Sequence, residues 1–146
     1  MSQFMDIFNE IVGWVSICLW TTGFFLKSWV IYLTKTGDGV ALDYLFMNWT
    51  AFYFYLSFNI YGKFFQNNED IHMADFLFTC FSWFMTNFEI LQIYYYPKKH
   101  NKFRILPATL TILCWISVLF ICIFCKVSFA FEYMGYMKIF LTNARY

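Results

Sequence analysis

Charge is what this chain has least of. Asp, Glu, Lys and Arg make up 13% of its 146 residues, and 61% are hydrophobic. A soluble domain carries about 25% charged residues, so an ordinary water-facing surface is excluded and lipid is the natural solvent. The formal net charge is only +1, which gives no electrostatic reason to expect a nucleic-acid partner. The stretch before residue 11 carries Asp6 and Glu10. It lacks the basic start of a secretory leader and the Arg/Ser character of a transit peptide, so the first apolar segment is expected to stay as a membrane helix. No nucleophile paired with a base, no glycine-rich phosphate loop and no metal-ligand cluster appears. An enzyme is therefore not expected, and neither is a cofactor. Five cysteines are present, all within apolar segments, where Cys acts as a small hydrophobe. Cys122 and Cys125 form a C-x-x-C, but it lacks a second pair or a nearby His, which argues against metal or redox use. His72 and His100 also lack ligand-spaced partners.

What is present is a series of long apolar runs without strand-type alternation, which reads as helices. Only helices or closed barrels satisfy their backbone in lipid. The expected spans are 11–33, 44–65, 72–96 and 105–125, followed by a short helix at 129–141. Pro107 falls in a first helical turn, where proline is tolerated. Thr36-Gly37-Asp38-Gly39 reads as a tight turn in which Asp bonds local backbone. Basic residues gather between the third and fourth spans: Lys98, Lys99, Lys102 and Arg104. Acidic ones lie at the N-terminus and around Glu69, Asp70 and Asp75. The positive-inside bias puts the Lys98–Arg104 loop on the cytosolic or matrix-like side and the N-terminus opposite. The 21 Phe and 11 Tyr read as coding bias rather than aromatic chemistry. No linker or internal repeat divides the chain, so it reads as one membrane domain.

A set of polar and glycine residues punctuates these runs. Gly13-Trp14, Trp20 and Phe24 fall in the first span, then Lys35-Thr36, Gly39 and Asp43. Asn48, Thr50, Phe52, Tyr55 and Phe58-Asn59 follow in the second, and Asp75, Thr86, Gln92 and Tyr96 mark the third. Tyr136-Met137-Lys138 and Arg145-Tyr146 close the chain. In this order the chain resembles the PQ-loop family, and most nearly its lysosomal, proton-coupled branch. The resemblance implies an all-α integral membrane fold: a three-helix PQ-loop repeat, a fourth transmembrane helix and the start of a fifth. It also implies that helices one and three are neighbours. Three departures stand out. The Pro-Gln pair that gives the family its name is replaced by Leu26-Lys27, which removes a kink and hinge. The Gly-x-Ser before the aspartate reads Gly39-Val40-Ala41. The family's second repeat, with its second Pro-Gln and proton-coupling aspartate, has no counterpart before Tyr146.

Two charges fall inside the expected spans. Lys27 lies six residues before the end of the first, and Glu89 seven before the end of the third, on the same side. At ~1.5 Å per residue both sit about 10 Å in from that surface. An unpaired charge there costs about 3 kcal/mol, so an ion pair between them is expected. The competing reading has Lys27 snorkelling to the headgroups. Asp43 is a proton site by resemblance or, equally, an N-cap of the second helix. Asn48, Asn59 and Gln92 are expected either to line a polar cavity or to hydrogen-bond between helices. Lys138 is a substrate-region lysine by resemblance. Asn48-Trp49-Thr50 matches a glycosylation sequon but lies within a span.

A carrier of this type holds its solute between two repeats that rock against each other. With one repeat and an altered hinge, the expectation is a non-catalytic accessory subunit, packed among other membrane subunits of a larger complex. The mitochondrial inner membrane is the expected address. The alternative is a half-size, proton-coupled carrier of a small amino-acid-like solute, working as a homodimer or with a second chain, in a lysosomal or vacuolar membrane.

Overall fold

A computed structural model describes residues 2–38, 40–67, 71–96 and 104–144, with side chains from Ile7 onward apart from Asn9. Among these residues the chain is all helical: α1 (Ser2–Thr34), α2 (Leu42–Phe64), α3 (Met73–Tyr95), α4 (Ile105–Phe124) and α5 (Val127–Ala144). α1 starts well before the expected residue 11. Asp6 and Glu10 interrupt the apolar run there, but no Pro or Gly stops the backbone from continuing as helix. α5 likewise exceeds the expected 129–141. Lys98, Lys99, His100, Lys102, Glu69, Asp70, Gly39 and Arg145-Tyr146 lie outside the described residues.

The surface is turned inside out relative to a soluble protein. Trp14, Leu19, Leu26, Trp29, Leu106, Ile116 and Phe120 are exposed, whereas Asn48, Thr50, Asn59, Thr79, Ser82, Thr86, Glu89 and Gln92 are buried. Lipid contact outside and polar contact inside is the arrangement a bilayer favours. Several threonine hydroxyls are satisfied within their own helices: Thr22 donates to the Cys18 carbonyl, Thr86 to Ser82 and Thr111 to Pro107. Residues 10–34 and α4 are long and apolar enough to cross a membrane. α2 and α3 have 23 residues each, about 35 Å of helix. Their mean apolarity is lowered by polar side chains that face inward.

α3 lies between α1 and α2, and α2 also meets α4 and α5; among the described residues α1 approaches no other helix backbone than α3. Near the α1–α2 turn, Ile31, Val40, Leu45 and Ile93 pack together. Midway, Phe24 meets the Phe52 ring edge-on at 5.9 Å, over Met85. A further core joins Met47, Phe54, Cys114, Val118, Met134 and Leu141 of α2, α4 and α5. α5 approaches closely because Gly135 has no side chain: a Cβ there would stand 3.2 Å from the Phe58 ring. One turn earlier Phe131 stacks on Tyr61 at 4.2 Å. The turn after α1 leaves the helix through Lys35 at φ 54°. There the Asp38 amide donates to the Thr36 hydroxyl at 3.1 Å, so threonine contributes a side-chain acceptor to the turn.

Candidate functional site: a trough along α1

With α3 between them, α1 and α2 leave a trough open on one side. Four hollows succeed one another along it. At the acidic end, a space of about 360 Å³ is bounded by Glu10, His72 and Asp75. It shares Gly13 and Asp75 with a cavity of about 290 Å³ that also reaches Ser16, Trp20, Asn48, Phe52 and Lys138. That cavity shares Trp20, Asn48 and Phe52 with the next, about 330 Å³, reaching Gly23, Tyr44 and Lys27. Lys27 also borders the last, about 450 Å³, which ends at Thr34, Thr36 and Asp38. Gly13, Trp20, Lys27 and Thr34 recur every seven residues. Two helical turns separate each from the next, so they form one stripe on α1.

The middle cavity, about 290 Å³, gathers polar side chains from four helices. Lys138 from α5 reaches it with its ammonium 4.0 Å from the Tyr55 ring centre. Asn48 from α2 is buried, and Asp75 stands in the first turn of α3. Opposite charges, an amide and an apolar floor thus converge in a space of small-solute size.

Where the third and fourth hollows meet, Lys27 donates to Glu89 Oε2 at 2.7 Å. The Lys27 side chain is 33% exposed, whereas that of Glu89 is fully buried. Lys27 Nζ also lies 5.6 Å from the Tyr44 ring centre. The second carboxylate oxygen of Glu89 has no hydrogen-bond partner.

The other candidate residues fall outside the middle cavity. Asp43 is not the helix cap. α2 begins one residue earlier, Ala41 is the capping residue, and no side chain caps the end. The chain enters the helix before Asp43 is reached, so its carboxylate is free to turn to Arg104 Nε at 3.9 Å. Of the three amides expected around one cavity, only Asn48 lines it. Asn59 donates to Thr79 at 2.9 Å, tying α2 to α3, and Gln92 donates to the Ser28 carbonyl at 3.2 Å, tying α3 to α1. Both face helix seams: Asn59 lies on the side of α2 that packs on α3, and Gln92 on the side of α3 that packs on α1. Asp75, Gly13 and Trp20 are lining residues that the sequence marked through the family resemblance but did not assign to a site. The seven-residue stripe on α1 is the signal that would have found two of them. Among the described residues no group of three His, Cys, Asp or Glu could hold a metal.

These features are those of an all-helical membrane protein with two helices long and apolar enough to span a bilayer. No family model matches the chain. Its similarities are to cystinosin proteins. It is 24% identical to the cystinosin homolog of Dictyostelium discoideum over 97% of this chain and 56% of that protein. It is 27% identical to cystinosin of Drosophila melanogaster over 66% of this chain and 28% of that one. The chain thus spans about half or less of the relatives it matches.

Proposed function

We propose that this chain is one half of a proton-coupled carrier for a small amino-acid-like solute. A second three-helix unit, from a second copy or another chain, would close the open side of the trough. One observation carries the reading. Gly13, Trp20, Asn48, Phe52, Asp75 and Lys138, six residues of the PQ-loop resemblance, line the same cavity. Scattered family positions that meet in one hollow are what a retained solute site requires. In this reading α1–α3 form a single PQ-loop repeat, with the trough on the face a second repeat would cover.

The accessory-subunit expectation has no comparable support. Similarity to cystinosin proteins extends over nearly the whole chain and favours the half-carrier. The mitochondrial address likewise lacks support, and the reading extends to a lysosomal or vacuolar membrane instead. The family's activity is transport, so no enzymatic role is proposed.

The test is uptake of labelled amino acids into proteoliposomes carrying the full chain, with and without an imposed pH gradient. Gradient-stimulated uptake supports the carrier. Gly13→Phe should abolish it without unfolding the protein, because nothing lies within 4 Å of a Cβ built on Gly13. No uptake of any amino acid, together with a fixed set of unrelated membrane proteins co-purifying from native membranes, overturns the carrier in favour of the accessory role.

A further inference from the structure

The Lys27–Glu89 pair is built unlike a purely structural ion pair. A structural pair satisfies both partners. Here the carboxylate is fully buried with one oxygen unpartnered, while the ammonium stands at the junction of two hollows of the trough. Its neighbours in the smaller of these two hollows, Tyr44 and Asn48, offer an aromatic face and an amide. Among the described residues, Tyr44 is the titratable group that faces the pair from α2. Asp43 on the same helix is turned to Arg104, Lys35 of the following turn is held over Tyr32 and beside Tyr96, and Asp75 and Lys138 lie further along the trough. Lys27 is therefore the cation that a solute in this part of the trough meets, and its present partner is a buried carboxylate it can exchange.

We propose that Lys27 binds the carboxylate of the transported solute and that Glu89 is the proton carrier of the cycle; this rests on the carrier reading. The exchange is balanced. A solute carboxylate replaces Glu89 on the Lys27 ammonium. The released Glu89 carboxylate, cut off from water and without a counter-charge, takes one proton and becomes neutral. No covalent bond other than the new O–H is formed. When the solute leaves, the proton leaves, and Lys27 and Glu89 pair again. One proton enters with each solute: for a solute anion the net charge of the trough is unchanged, and for a zwitterion such as L-alanine it rises by one, the charge of the solute's own ammonium group. An ammonium group on the solute is accommodated by the Tyr44 face through a cation–π contact.

The experiment is infrared difference spectroscopy on the full chain in lipid, with L-alanine as probe and alaninamide as its carboxylate-free control. L-Alanine should produce the carbonyl band of a protonated carboxyl group. Alaninamide should not, and Glu89→Gln should remove the band. The double variant Lys27→Met/Glu89→Gln replaces the pair by neutral side chains of similar size and keeps the fold testable by thermal unfolding. It should bind L-alanine about tenfold to a hundredfold more weakly, the worth of a hydrogen bond to a charged group. Absence of the band on adding L-alanine overturns the proposal. So does pH-gradient-driven L-alanine uptake by the folded double variant at the unmodified rate, an outcome that leaves the carrier itself standing. Failure of the unmodified chain to take up any amino acid is instead the failure of the carrier reading.

Discussion

At the scale of single residues, buried polar groups decide more than their number suggests, because lipid offers them no alternative partner. Asn59 and Thr79 illustrate this. The Asn59 amide donates to the Thr79 hydroxyl, which donates in turn to the Asp75 carbonyl at 2.6 Å. Asn59→Ala should lower stability by about 1 kcal/mol, read as a drop in melting temperature in detergent, with no change in helix content. The ion pair is a larger case. Lys27→Met alone leaves the buried Glu89 without its partner and should lower the melting temperature. Adding Glu89→Gln should recover most of that loss, and a double-mutant cycle by thermal unfolding measures the recovery. How these residues read in the sequence differs for a physical reason. Lys27 and Glu89 lie in spans with countable ends, and rise per residue put them at one depth; the structure has them 2.7 Å apart. Asn59 and Gln92 could not be separated from Asn48 by the same arithmetic. Depth is fixed by position along a helix, but the facing neighbour is fixed by rotation and by which helix packs where.

At the scale of elements, apolar runs locate helices well and their ends poorly. α1 extends to Ser2 because a charged residue stops a hydropathy run without stopping a helix. α2 starts at Leu42 because Ala41 takes the extended backbone of a cap. Packing between elements depends on residues that look unremarkable in sequence. Gly135 is one. It lets α5 press against the Phe58 ring, and the stacked Tyr61–Phe131 rings extend that seam. Gly135→Leu should prise α5 from α2, lowering the melting temperature and loosening the Lys138–Tyr55 contact in the cavity. Phe58→Ala in the same chain should restore part of the loss by making room. By contrast, Gly135→Ala should be mild, since a ring edge can move by a few tenths of an ångström.

For the whole molecule, the exposed apolar surface and the inward polar groups fit a bilayer, and the helix order carries a topological prediction. The α1–α2 turn and the start of α4 share one side; the α2–α3 connection and the end of α4 share the other. In a cysteine-free background, Asp38→Cys and Gln66→Cys should be labelled by a membrane-impermeant maleimide from opposite faces of sealed vesicles. Labelling of both from one face would contradict the antiparallel arrangement. The trough itself was not legible in the sequence, because it exists only once α3 separates α1 from α2, and no local pattern announces that order. That order has a mechanical corollary. A rod moored along a single berth can swing without tearing up the dock. Among the described residues α1 meets the backbone of one neighbour only and touches α2 through side chains such as Phe24 on Phe52, so tilting it parts one helix seam and a few ring contacts while the α2–α4–α5 block stays at rest. Severing the chain in the 35–41 turn should accordingly yield two pieces that still find each other when co-expressed.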